Sequence, residues 1–181
     1  MSDSTIVLCI DIQDKLFKVM HPEDRENIIK HARAIIFLAC YSGWPIWVTE
    51  QYPKGLGATI PEISSLISPK SVYFEKLEFN ACMNTEFMHK IRGLTRNASI
   101  IMLGIEAHIC VYLTAVELKE KGFLVTVLSD GISSRSKKNY DMAIIDMYKR
   151  GITVLPTETV LFKTLKSSTH PLFKDISRLI K

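Results

Sequence analysis

The stretch SIIMLGIEAHICVYLTA, Ser99 to Ala115, changes period partway along its length. Ile100 to Leu103, followed by Gly104, is an unbroken apolar run of strand length; a short polar step follows, and a helix-like pattern opens at Cys110. A cysteine at such a junction sits at the positive end of a helix, where its thiol pKa is expected to fall toward that of a reactive thiolate.

The same alternation extends in both directions. Ile6–Ile10 is rich in β-branched residues, reads as a strand buried on both faces and ends at Asp11. From Pro22 to Tyr41, Ile28, Ala32, Ile35, Ile36 and Ala39 recur at the spacing of one helix face, and Gly43 supplies a stop. Trp44–Thr49 is a second strand. The segment Glu50–Pro61 contains EQYPKGLG, whose proline and glycines mark a loop, and Ile63–Ile67 reads as a short helix. A third strand spans Ser71–Glu75, with Lys76 just past its end, and a helix spans Asn84–Leu94. Ser99–Leu103 is the fourth strand, and the helix after it runs from about His108 to Gly122. Phe123–Leu128 is the fifth strand, closed by the turn-prone SDG at Ser129–Gly131. An amphipathic helix over Lys137–Arg150, a sixth strand over Ile152–Leu155 and a last helix over Pro171–Ile180 complete the chain.

Short apolar strands alternating with amphipathic helices predict an α/β protein of three layers, α/β/α. Its six-stranded parallel, Rossmann-like sheet has helices on both faces and right-handed crossovers. In such sheets, sites form outside the carboxyl ends of the strands, near the point where the strand order reverses. Asp11, Lys76 and the segment before Cys110 all fall there.

With 181 residues, 47% of them hydrophobic, the chain has the length of a single domain over 1–181 with a sizeable core. Its 23 basic and 19 acidic residues leave a net charge of +4, but they are interspersed and form no dense basic run. Cys9, Cys40, Cys82 and Cys110 are too far apart for metal-finger spacing and lie in apolar surroundings, which points to a reducing, cytoplasmic compartment. The first residues lack the pattern of a signal peptide, and no apolar run approaches a membrane span, so no membrane partner is expected.

Taken alone, Cys110 is more often a small buried hydrophobe than a nucleophile, Asp11 a turn cap and Lys76 a solvated lysine. Brought together they acquire a chemistry. A carboxylate beside a thiol can take its proton and later return it to a leaving amine, and a lysine can hold the charges that develop. His108 lies near Cys110 in sequence, but no second histidine stands at ligand spacing. Neither G-x-G-x-x-G, a P-loop nor G-x-S-x-G occurs.

CIDIQDKL at Cys9–Leu16, FEKLEFNAC at Phe74–Cys82, GIEAHICVYLTA at Gly104–Ala115 and SDGISSRS at Ser129–Ser136 resemble, in order, the characteristic segments of isochorismatase-like cysteine hydrolases. The resemblance implies a triad of Asp11, Lys76 and Cys110. In amidases of that family the thiolate attacks a carboxamide, ammonia leaves and water hydrolyses the thioester. It also implies a cis peptide at Ile105–Glu106 and an oxyanion hole made by the backbone N–H groups of Glu106 and Cys110. Metal-binding nicotinamidases of the family carry Asp and His after the second strand, whereas this chain has Glu50, Gln51, Tyr52, Pro53, Lys54 and Gly55, so neither metal nor cofactor is expected. Tyr52, Leu56, Phe79, Asn80 and His108 are the expected pocket residues, Asn80 standing where many relatives have Ser. Relatives commonly self-associate, so a homo-oligomer acting on a small-molecule substrate is implied. The competing readings are a catalytically silent binding or scaffold protein with the same fold and, on the modest positive charge alone, an RNA-binding or ribonuclease-like protein.

Overall fold

A computed structural model describes residues 5–67, 71–95 and 97–181; the polar lead-in at residues 1–4 lies outside them. Strand β1 (Thr5–Ile10) leads through a one-turn helix α1 (Asp14–Lys18) into the long helix α2 (Pro22–Ser42). Pro22 starts α2 where its missing N–H costs nothing, and Gly43, at φ 67°, ends it in the left-handed region. Strand β2 (Ile46–Gln51) is followed by the short helices α3 (Pro53–Leu56) and α4 (Pro61–Ser64), then by β3 (Val72–Lys76). A 3-10 turn at Ala81–Met83 precedes α5 (Thr85–Arg92), and β4 (Ser99–Ile105) runs into a wide π turn, Ala107–Val111, that continues as α6 (Tyr112–Glu120). Next come β5 (Leu124–Ser133), α7 (Lys137–Lys149), β6 (Thr153–Leu155), α8 (Thr157–Leu165) and α9 (Phe173–Leu179).

The six strands form one parallel sheet in the order β3-β2-β1-β4-β5-β6, so the order reverses between β1 and β4. The pleat divides the core. Val7, Cys9, Ile101 and Leu103 pack with Ile28, Ile35, Leu161 and Ile176 under α2, α8 and α9. Ile6, Leu8, Ile10, Ile100 and Met102 pack with Phe87, Ala115, Leu118 and Met147 under α5, α6 and α7. This is the expected three-layer α/β/α arrangement with helices on both faces of a parallel sheet. Among the described residues no helix is long and apolar enough to cross a membrane.

The reversal point is also where two backbones come closest. Gly104 pairs with Ile10 at φ 132°, and a Cβ there would fall 2.0 Å from the Ile10 carbonyl oxygen. Only glycine fits, because the contact is with main chain that cannot rotate away.

Element boundaries depart from the sequence expectation: β2 runs on to Gln51 rather than ending at Thr49, β4 to Ile105 rather than Leu103, and the short helix is Pro61–Ser64 rather than Ile63–Ile67. Lys76 is the last residue of β3 rather than one beyond it. The SDG at Ser129–Gly131 does not close β5: the strand continues to Ser133, and its register against β4 jumps from Met102–Val127 to Gly104–Ile132, absorbing the extra residues as a bulge. Asp130 in that bulge accepts from Thr157 N at 2.8 Å and Thr157 Oγ1 at 2.6 Å. It thereby anchors the start of α8, a helix that sequence periodicity passes over, as it does α1 and α3.

Candidate active site

Asp11 terminates β1 at φ 50°, in the left-handed region that a side chain enters at a cost of about 1–2 kcal/mol. Gln13 N donates back to Asp11 O at 2.8 Å, so the chain turns sharply there. The carboxylate is fully buried, and each oxygen is engaged: Oδ1 accepts from Thr49 Oγ1 at 2.6 Å and Oδ2 from Lys76 Nζ at 2.6 Å. Both side chains of the Asp11–Lys76 ion pair have no exposed area.

Strand β2 lies between β1 and β3 in the sheet, and its Thr49 and Gln51 side chains flank the pair, one bonded to the carboxylate and the other to the ammonium. Besides Asp11, Lys76 Nζ donates to Gln51 Oε1 at 2.7 Å and to the Glu78 carbonyl at 3.2 Å. Gln51 is fixed in turn: its Nε2 donates to Leu77 O at 2.7 Å, and its N–H donates to Gln13 Oε1 at 2.7 Å. Gln13 Nε2 reaches the Gln51 and Gly57 carbonyls at 3.0 and 2.6 Å. Each buried donor or acceptor in this cluster has a partner, which is the condition for a buried charge pair to persist. Thr49, Gln51 and Gln13 were not singled out from the sequence. Their signal is weak, consisting of polar residues in or beside apolar strand ends, and it becomes legible once the strand order is known.

The Asp11 carboxylate and the Lys76 ammonium both act on the Cys110 thiol. That thiol is not lowered as its place near a helix start suggested. Burial first, and then the Asp11 carboxylate, push it up to about 12, while Lys76 acts in the opposite direction. The reason is local. Cys110 is the fourth residue of the Ala107–Val111 turn and is 6% exposed, so loss of water outweighs the helix terminus. The resting site therefore holds a neutral thiol beside a buried carboxylate.

The peptide between Ile105 and Glu106 is cis. After it, Ile109 N and Val111 N both donate to Glu106 O, at 3.0 and 3.3 Å, which produces the wide turn. The Glu106 side chain, 5% exposed, does not face solvent but accepts from Arg135 N at 2.9 Å and Arg135 Nε at 3.1 Å.

The expected pocket residues divide into two groups. Tyr52, half exposed at φ 39°, stands beside Lys76, whose carbonyl accepts from Tyr52 N at 2.9 Å; Leu56 follows one turn later. Phe79 is 60% exposed, and its carbonyl approaches Lys76 Nζ at 3.5 Å. Asn80 and His108 are committed elsewhere. The Asn80 side chain caps the 3-10 turn by accepting from Cys82 N at 2.9 Å and donates to Glu117 Oε2 at 2.6 Å. His108 turns to Ser134 and to a groove against α7 lined by Tyr112, Asn139, Met142 and Asp146. Among the described residues, no group of three or more His, Cys, Asp and Glu is placed to hold a metal ion.

The isochorismatase domain model matches residues 5–159. The chain is 31% identical over 178 residues to isochorismatase domain-containing protein 1 of Salmo salar, covering 98% of this chain and 61% of that protein. It therefore spans less than two thirds of that relative's length. It is 32% identical over 179 residues to isochorismatase domain-containing protein 2 of Xenopus laevis, covering 98% of this chain and 83% of that one. Among solved structures it is similar to the MAR1 ribonuclease of Caenorhabditis elegans, at a TM-score of 0.87 and 31% identity, covering 98% of this chain and 89% of that one.

Proposed function

The chain belongs to the isochorismatase family, and from that premise we propose that it is a cysteine hydrolase acting on a small amide or related acyl compound through Asp11, Lys76 and Cys110. The observation that carries this reading is the fully buried Asp11–Lys76 pair, 2.6 Å apart, both members of which act on the Cys110 thiol.

In the proposed reaction Asp11 takes the Cys110 proton as sulfur attacks the carbonyl carbon. The developing oxyanion is received by the Glu106 and Cys110 N–H groups, where dipoles fixed in a dry site act most strongly. Collapse breaks the C–N bond, and Asp11 returns the proton to the departing amine, leaving a thioester on Cys110. Asp11 then takes a proton from water, whose oxygen attacks the thioester; the acid departs and the thiol is restored. Lys76 holds the carboxylate in place and balances its charge throughout. A neutral resting thiol suits this scheme, since the proton is removed only when an electrophile is present. No step requires a metal.

The test is release of ammonia from a panel of small carboxamides, with mass detection of an acyl adduct on Cys110. Activity that persists in Cys110→Ala would sink the reading. The name of the C. elegans relative favours a second reading, RNA cleavage. Cleavage of single-stranded RNA that survives Cys110→Ala and falls steeply with salt would establish it instead.

A further inference from the structure

The segment Ser133–Arg135, just beyond the bulge of β5, has no part in the chemistry above, yet each residue is assigned to a separate partner. Ser133 Oγ donates to Asp24 Oδ2 at 2.6 Å, joining the end of β5 to the first turn of α2. Ser134 Oγ accepts from His108 N at 3.3 Å and lies 2.9 Å from His108 Nδ1. Arg135 N and Nε donate to Glu106 Oε2 at 2.9 and 3.1 Å, and Nε lies 3.1 Å from Glu106 Oε1. Ser136 then caps α7 by accepting from Asn139 N.

Two of these contacts fall on the turn that carries the proposed oxyanion donors. Ser134 is 2% exposed, so its hydroxyl proton needs an acceptor inside the protein. The oxygen receives His108 N–H and also lies 2.9 Å from His108 Nδ1, so backbone and ring of His108 are both tied to one buried hydroxyl. The Glu106 carboxylate, likewise buried, is gripped by a backbone N–H and a guanidinium of one residue. The turn is thus held from outside at Glu106 and at His108, on either side of Ala107.

We propose that Ser134 and Arg135 are positioning residues that hold the Glu106–Cys110 turn so that its N–H groups converge on the reacting carbonyl oxygen. This rests on the cysteine-hydrolase reading. It concerns oxyanion geometry and not the nucleophile, because these contacts join Ser134 and Arg135 to His108 and Glu106 and involve neither Asp11 nor Lys76.

Two reactions of the same thiol separate the roles. Alkylation by iodoacetamide displaces iodide at a saturated carbon and forms no oxyanion. Acetylation by p-nitrophenyl acetate passes through a tetrahedral oxyanion: the S–C bond forms, the C–O bond breaks and p-nitrophenolate leaves. The full chain is compared with Ser134→Ala, Arg135→Ala and the conservative Ser134→Thr, following the p-nitrophenolate burst and the mass of the Cys110 peptide. The expected result is a fall of about 100-fold in acetylation for the two alanine variants. Alkylation of Cys110 stays at the parent rate, and Ser134→Thr recovers most of the acetylation. Acetylation at the parent rate in both alanine variants, or acetylation and alkylation falling together, would overturn the proposal. If the parent itself forms no acetyl adduct on Cys110, the hydrolase reading fails, which is a different and separately visible result.

Discussion

Cys82 and Cys110 belong to the same core cluster, are 5% and 6% exposed, and have thiols pushed up to about 12 by burial. Each has one carboxylate and one lysine as charged neighbours: Glu117 and Lys121 for Cys82, Asp11 and Lys76 for Cys110. The difference lies in the pairs. Lys121 and Glu117 stand four residues apart on one helix surface, 3.2 Å from each other, with side chains 37% and 28% exposed. Lys76 and Asp11 come from different strands and are wholly buried. A thiol's burial and shifted pKa therefore do not mark a nucleophile; what singles out Cys110 in the proposed reaction is the wholly buried carboxylate–ammonium pair beside it.

Breaking the pairs one at a time should expose that difference. Asp11→Asn removes the proposed base and should lower acylation of Cys110 about 10²- to 10⁴-fold, measured as the burst with an activated ester, whereas Glu117→Gln should leave it at the parent rate. Lys76→Met strands a buried carboxylate and should cost about 3–5 kcal/mol in urea unfolding, while Lys121→Met, which opens an exposed pair, should cost about 0.5 kcal/mol or less. Gly104→Ala sets a methyl against the Ile10 carbonyl and pries β4 from β1 just where Asp11 meets the thiol. About 2–3 kcal/mol should be lost, together with Cys110 chemistry.

One property should not distinguish the cysteines. Both thiols are raised from 9.0 to about 12, so between those pH values the folded chain keeps protons that the unfolded chain gives up. The contribution of each such thiol to stability is therefore fully present below pH 9 and is lost as pH rises toward 12. Cys82→Ala and Cys110→Ala should each flatten the alkaline decline of stability to a similar degree.

How much of this was readable in the sequence depends on how locally each feature is encoded. The strands declared themselves as short apolar runs, and α2 by its single apolar face. Asp11 and Cys110 were visible because each interrupts or follows such a run. The raised thiol was not visible, since burial of Cys110 depends on strands far away in sequence. Thr49 and Gln51 stayed hidden for the same reason: they matter because β2 lies between Lys76 and Asp11. The SDG at Ser129–Gly131 has turn composition, yet pairing with β4 on one side and the Asp130 cap of α8 on the other keep it in the strand. Asn80 is an expected pocket residue from its place in FEKLEFNAC, and what the sequence does not show is that its amide also accepts from Cys82 N and donates to Glu117.

The proposed role of the Asp11–Lys76 pair is tested most directly by the rate at which iodoacetamide modifies each cysteine in the native protein near pH 7, resolved by peptide mass. Because Cys82 and Cys110 are almost equally buried, access cannot separate them. Cys110 should react about 10-fold faster than Cys82 or more, with the advantage lost in Asp11→Asn. Equal rates in the parent protein, or an advantage that survives Asp11→Asn, would contradict that role.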